Sequence, residues 1–260
     1  MIPFQRTFVV TMFTSFLALA DAPTRTVPNG DLKSRRQWSE AQEEYRRGVR
    51  FAEGEGVPQD YRQAAKYYRT AAEKGLAAAQ YDLGYLYEKG LGVDRDLKQA
   101  AAWYRKAAVQ GDPDAQNNLG VLYATGQGVR RDDAEAVRWY RLAAEQNDPE
   151  ATSNLGSMYL QGRAVQRDLV RAFQLFLKSA EQGYAVAQNN LAIMYANGQA
   201  VARDYIWAYA WLDIAGERIS ECVELRERIA KELKPEEIER AHGLASLKRA
   251  ELSEKGAQSK

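Results

Sequence analysis

The sequence predicts an all-α fold: a right-handed α-solenoid of five helix-turn-helix repeats, closed by a C-terminal capping helical hairpin. Three observations carry that prediction. A turn returns at a step of 36 residues as Gly54-Glu55-Gly56-Val57, Gly90-Leu91-Gly92-Val93 and Gly126-Gln127-Gly128-Val129, relaxing to Gly162-Arg163-Ala164-Val165 and Gly198-Gln199-Ala200-Val201. An acid and a small residue keep the same step, at Asp60, Asp96, Asp132, Asp168 and Asp204, then at Ala64, Ala100, Ala136, Ala172 and Ala208. Bulky pairs follow in register at Tyr67-Tyr68, Trp103-Tyr104, Trp139-Tyr140, Leu175-Phe176 and Trp211-Leu212. A period of this size marks units that cannot bury their apolar stripe singly and do so by stacking.

In chain order, residues 1–20 read as a signal peptide. Arg6 precedes an apolar run from Phe8 to Ala20, and Ala18-Leu19-Ala20 supplies the small–x–small cleavage site. The thirteen residues of that run are too few to cross ~30 Å of hydrocarbon as a helix. Export to the periplasm, or secretion, is therefore expected, with no membrane insertion after cleavage. Residues 21–36 are polar, with Pro23, Pro28 and Gly30, and are expected to be a disordered linker.

The repeats occupy residues 37–216, in units of approximately 43–78, 79–114, 115–150, 151–186 and 187–216. In each, a helix A is followed by a seven-residue connection and a helix B. Asp112-Pro113 opens one helix A, with Asp as N-cap and Pro at the first helical position, where its missing N–H costs nothing. Leu83, Gly84 and Tyr87 share one face of another, and Gly90 ends it as a left-handed residue. Asp96 caps helix B with Gln99 three residues on, a spacing repeated by Asp60/Gln63 and Asp132/Glu135 that suggests a capping box. Ala100, Trp103, Tyr104, Ala107 and Ala108 form the buried stripe of helix B. Gly111 closes that unit, and Asn147 replaces it one repeat later. Gly84, Gly120 and Gly156 fall mid-helix, where Gly costs ~1 kcal/mol against Ala. Close approach of a neighbouring helix is the expected compensation.

These residues resemble the Sel1-like repeat, a relative of the tetratricopeptide repeat with a longer turn between its helices. The family pattern is met almost letter for letter by Ala79 to Gly111 and by Ala115 to Asn147. The first unit departs from it, with Arg47 where Leu is expected and Phe51 where Tyr is expected, which suits a terminal unit partly open to water and joined to a turn around Trp38. Ala192 replaces the mid-helix Gly in the fifth unit. Residues 217–251 are similar to the helical hairpin that often closes such stacks. Val223, Leu225 and Ile229 line its first helix; Ile238, Ala241, Leu244, Ala245 and Leu247 line the second, which opens at Pro235. Lys234 stands where Ser or Thr is usual, so that terminus lacks a side-chain cap and is expected to fray. Residues 252–260 read as a tail.

Charge excludes several functions. Without residues 1–20 the chain has 35 Lys and Arg against 35 Asp and Glu, which argues against nucleic acid or an anionic membrane surface as partner. Cys222 is the only cysteine, so no intrachain disulfide forms, and it is expected to be a small apolar residue at a helix start. His242 is the only histidine and lies far in sequence from any suggestive Ser, so it is expected at the surface. No His, Cys or carboxylate cluster has metal-ligand spacing, and the Gly-x-Gly triplets are turns, not nucleotide loops. No cofactor, metal or catalytic residue is expected. A cysteine-rich secreted branch of the resembled family is linked with β-lactamase-type activity, but that branch carries paired cysteines, which this chain lacks along with any Ser-x-x-Lys. A secreted hydrolase is therefore the weaker alternative.

What the resemblance implies instead is a monomeric scaffold for protein–protein interaction, holding a membrane sensor, an envelope-assembly complex or a host protein. In tetratricopeptide-like stacks helix A lines the concave surface. The helix A positions opposite the packed face read Tyr81, Asn117, Ser153 and Asn189 down the stack, then Tyr85, Val121, Ser157 and Ile193. These eight are the candidate partner-binding residues, with Asn117 and Asn189 suited to an extended peptide backbone because an amide both donates and accepts.

Overall fold

The computed structural model describes residues 32–258, and the expected signal peptide and residues 21–31 of the expected linker lie outside them. Twelve helices are found among the described residues. They pair as α1 (Leu32–Glu53) with α2 (Tyr61–Glu73), α3 (Ala77–Lys89) with α4 (Leu97–Val109), and α5 (Pro113–Thr125) with α6 (Asp133–Glu145). The pairs α7 (Pro149–Gln161) with α8 (Leu169–Ala180) and α9 (Ala185–Asn197) with α10 (Tyr205–Ala215) follow. The hairpin α11 (Glu221–Ala230) and α12 (Pro235–Gln258) closes the stack against α10. Each helix otherwise packs on its neighbours in sequence, so the molecule is a solenoid of paired helices.

Within a unit the geometry follows the repeated residues. Gly90, Gly126, Gly162 and Gly198 end the A helices with φ between 65° and 73°, the left-handed region where a Cβ is costly. The Asp that starts each B helix accepts from N–H groups of its first turn; Asp96, for example, takes Lys98 N–H at 2.9 Å and Gln99 N–H at 3.1 Å. The return half of the expected capping box is not made. The backbone N–H of Asp96 donates to Tyr87 O at 3.0 Å, and Asp132, Asp168 and Asp204 repeat this bond to Tyr123, Tyr159 and Tyr195. With that donor already satisfied, Glu135 instead accepts from Trp139 Nε1 at 3.1 Å. The connection is thus pinned to the end of helix A, which fixes how far the two helices splay.

The mid-helix glycines have the expected cause. A Cβ on Gly84 would lie 2.8 Å from the Tyr104 ring, and one on Gly120 would lie 2.7 Å from that of Tyr140. Gly48 stands in the same relation to Tyr68, and Gly156 to Phe176. Where the fifth unit has Leu212 at the ring position, Ala192 takes the place of glycine. The second turn glycine makes the joint between units. A Cβ on Gly128 would fall 2.1 Å from Leu97 O, at the start of the preceding unit's helix B, and one on Gly92 would fall 2.2 Å from Tyr61 O.

Five expectations are corrected. Leu32 to Arg36, assigned to the disordered linker, form the first turns of α1; no Pro or Gly follows Gly30 there, and Arg36 pairs with Glu40 at 3.1 Å. Trp38 therefore sits within a helix, half-buried against the first unit's core, and not at a turn. The start of α12 is capped from the other side, because Glu237 accepts the Lys234 N–H at 2.8 Å. That helix runs on through the assigned tail to Gln258, and Leu252 packs on the last core, whereas Leu247 points outward at 65% exposure.

Candidate functional site

The A helices form the inner layer of the stack. Apart from α1, they are covered along almost their whole length, and α7 reaches past α8 to touch α9. Their inward positions include the eight candidate partner-binding residues, which the structure divides into two groups. Asn117, Val121 and Ser153 are buried between adjacent units, at 3%, 8% and 2% exposure. The Oδ1 of Asn117 accepts from Asn154 Nδ2 at 2.9 Å, a bond between consecutive A helices. Asn189 is half-buried and accepts from Cys222 Sγ at 3.5 Å, facing the closing hairpin. Asn117, Val121 and Ser153 thus lie in the seams between helices, and the Asn117 amide spends a hydrogen bond there, whereas Asn189 keeps a half-open position. Tyr81, Tyr85, Ser157 and Ile193 stay half-open on the inner face. Tyr81 leans on Tyr104, with ring centroids 5.7 Å apart, and Lys89 lies over the Tyr85 ring at 5.5 Å.

A second set of seam residues carries no functional signal in single-sequence reading. Gln80, Gln116 and Gln188 are buried one position before the first candidate ladder, and each donates from Nε2 to the last turn of the preceding B helix, at Ala72, Ala108 and Ala180 O. The 36-residue register could have revealed them, since only Thr152 interrupts the series.

The inner face is acidic. Burial pushes Asp82 and Asp148 up to about 7, in each case with neighbouring carboxylates adding to it. Burial likewise raises Asp114 and Glu150 above the usual carboxylate range. Asp114 is nonetheless open to solvent.

At the far end, Tyr209, His242 and Asp213 line up in a way that superficially resembles a proton relay. Tyr209 Oη and His242 Nε2 are 3.3 Å apart, and His242 Nδ1 is 3.4 Å from Asp213 Oδ2. Asp213 is committed elsewhere: it also takes Arg249 at 3.0 Å and a close contact from Arg226. Burial works to raise its carboxyl, but the Arg249 hydrogen bond and the two guanidinium charges outweigh it and hold it below the ordinary range. Burial raises the Tyr209 hydroxyl, the wrong direction for a nucleophile. The cluster clamps the closing hairpin onto α10. Cys222 is 1% exposed, and burial pushes its thiol up to about 11, away from the reactive thiolate. Among the described residues no group of three or more His, Cys, Asp or Glu could hold a metal ion, and no helix is long and apolar enough to cross a membrane.

Comparison with known proteins matches this geometry. The family model described as Sel1 repeat fits five successive segments, residues 44–76, 77–112, 113–148, 149–184 and 185–218. The chain is similar to the crystal structure of a Sel1 repeat protein from Oxalobacter formigenes, at 36% identity over 69% of this chain and 74% of that one, with a TM-score of 0.63. It is also similar to c5321, a protective antigen present in uropathogenic Escherichia coli strains displaying an SLR fold, at 34% identity and a TM-score of 0.69. That match covers 86% of this chain but 48% of the antigen, so the chain spans about half its length. No curated protein matches.

Proposed function

Because the chain belongs to the Sel1 repeat family, whose members generally mediate protein–protein interactions, we propose that it is an exported scaffold that holds a segment of another protein against its inner face. The observation that carries the proposal is the division of that face. Asn117 and the buried glutamines spend side-chain hydrogen bonds in the seams and Ser153 is buried there, while Tyr81, Tyr85, Ser157 and Ile193 remain half-open in the second, fourth and fifth units. Side chains of that kind, two aromatic rings with small and aliphatic neighbours, suit an adaptable contact surface. The partner is a membrane sensor or an envelope-assembly complex, and the placement rests on the apolar run Phe8 to Ala20 with its Ala18-Leu19-Ala20 site.

A photo-crosslinking residue at position 85 or 193, in cells, tests the surface, with Val109 on the outer layer (72% exposed) as control. One protein should be trapped from both inner positions and not from Val109. Trapping from Val109 alone, or from none of the three, overturns the assignment. Fractionation tests the address: intact mass should show the chain shortened by residues 1–20 outside the cytoplasm, and a full-length cytoplasmic chain refutes export.

A further inference from the structure

The first unit departs from the others on one face. Leu83, Leu86 and Trp103 of the second unit are buried in one core with Tyr68, Ala71 and Ala72 of α2, the helix before them. The same register places Leu119 and Leu122, Leu155 and Met158, and Leu191 and Met194 in the later units, all buried. In the first unit it places Arg47 and Arg50, both exposed, with half-buried Tyr67 at the Trp103 position. Among the described residues no helix precedes α1, so this face is the open end of the stack. A terminal unit needs a polar outer face, but any polar side chains would supply one. Here the two arginines instead frame a cavity of about 250 Å3 whose other walls are Phe51, Val57 and Tyr67. The Phe51 and Tyr67 rings lie nearly parallel, with centroids 5.6 Å apart.

Shape, size and charge tell what covers that end. In each later unit the element that covers this face is the helix B of the unit before, so the face is a seat for a helix. The cavity is smaller than the ~300–1,000 Å3 of small-molecule sites and suits one inserted side chain. The charge calls for acid, since α1 and α2 carry nine Lys and Arg against five Glu. Arg47 Nε donates to Glu43 Oε1 at 3.3 Å and Arg50 Nε to Glu55 O at 3.4 Å, which leaves the terminal N–H groups of both guanidinium forks for a carboxylate. Glu44 argues against another B helix in the seat. It stands where Gln80, Gln116 and Gln188 each donate to the last-turn carbonyl of the preceding B helix. A carboxylate cannot donate there and repels that negative helix end, so a second copy stacked in the repeat's own register fits poorly. We propose that the N-terminal end face docks an amphipathic helix of a partner protein, with one apolar side chain in the Phe51–Val57–Tyr67 cavity and Asp or Glu on Arg47 and Arg50. This surface is separate from the inner face.

The test uses the full chain and three stapled helical peptides of one length. The first carries Leu with Glu three residues before it and four after it, on one helix face. The second has Gln for each Glu, and the third has Ser for the Leu. Fluorescence anisotropy should show the first binding about tenfold or more tighter than either control, and its margin over the Gln peptide should vanish at high salt. Arg47→Gln with Arg50→Gln should remove that margin; both residues are exposed, and an unchanged melting temperature verifies the fold. Equal binding of either control, absence of binding, or a double variant that holds the first peptide unchanged each overturns the proposal. So does a second copy as occupant, seen as concentration-dependent association in sedimentation that the double variant abolishes. A photo-crosslink from position 43 to residues 21–31 of the same chain overturns it as well. Trapping at positions 85 and 193 is read independently of these peptides, so the scaffold reading stands or falls separately.

Discussion

The joint between units can be tested at Gly128. Its φ is +70°, and an added Cβ would sit 2.1 Å from Leu97 O and 2.4 Å from Leu97 C, a collision with backbone that no side-chain rotation relieves. Gly128→Ala therefore carries two costs, ~1–2 kcal/mol for an L-residue in the left-handed region and ~1–3 kcal/mol for overpacking, against ~0.4–1 kcal/mol regained from a less flexible unfolded chain. The net expectation is a destabilisation of about 2–4 kcal/mol. Urea unfolding followed by far-ultraviolet circular dichroism measures it; with a slope near ~3 kcal/mol/M the midpoint should fall by about 1 M. The natural counterpart is Ala164, which holds φ of 55° with a Cβ already in place. Ala164→Gly sheds the left-handed penalty and should be neutral or stabilising by up to ~1 kcal/mol. If Gly128→Ala moves the midpoint by less than ~0.2 M, or Ala164→Gly lowers it as much, contact with the preceding helix is not what requires glycine there.

Stability should also fall as pH rises from about 4 to 7, because Asp82 and Asp148, raised to about 7 by burial, bind protons in the folded chain that the unfolded chain has released. Melting near pH 5 should thus exceed that near pH 7.5, and Asp82→Asn should raise the upper value; a midpoint that climbs with pH refutes the assignment. Asn117→Ala leaves Asn154 Nδ2 without its acceptor in a buried seam and should cost ~1–3 kcal/mol in urea unfolding, where a surface contact residue would cost nothing. Asp213→Ala frees two guanidinium groups and should cost roughly 2–3 kcal/mol, seen as faster amide exchange in α12 with α5 unchanged; uniform exchange would deny it the role of a local clamp. Gly120→Ala should destabilise by ~1–2 kcal/mol in the wild-type background, yet cost less in the Tyr140→Leu background, which imitates Ala192 beside Leu212; equal costs would show that the ring does not set the glycine.

The fold was legible because it is written five times over. Any one mid-helix glycine is a weak signal, but Gly84, Gly120 and Gly156 each keep a fixed distance from an aromatic residue, and the structure puts that ring over the missing Cβ. The end elements occur once each and were read less well. Nothing in a single pass separates Leu32–Arg36 from the polar residues before them, and Glu237 as cap for Lys234 emerges only when the reciprocal bond is considered alongside the absent Ser or Thr. The burial of part of the ladder of candidate contacts went unread for another reason. Helical periodicity places Asn117 and Ser153 opposite the intra-unit core, but a solenoid helix has two packed faces, one toward its partner helix and one toward the next unit. Helical phase identifies the first face and leaves the second indistinguishable from solvent, so polar seam residues read as surface.

Net charge averages over layers that do different work. The B helices can keep Lys and Arg in water beside aromatic rings, as Arg69 does with Tyr87 and Arg138 with Trp139, because their outer faces are exposed. The A helices after α1 have little such face, and a long cation on their closely packed wall would lose both solvent and rotamer freedom. Short acids are retained there for a reason the repeat itself supplies: Asp112 and Asp148 are needed as caps, at the helix ends where negative charge is favourable. Asp114 and Glu150 stand in the first turns of α5 and α7, where the helix dipole favours them as well, and the Asp82 carboxylate accepts a hydrogen bond from Tyr45 of α1. Acids on this wall are therefore explained by how the stack is built: they cap helices, lie in first turns, or accept a bond from a neighbouring unit.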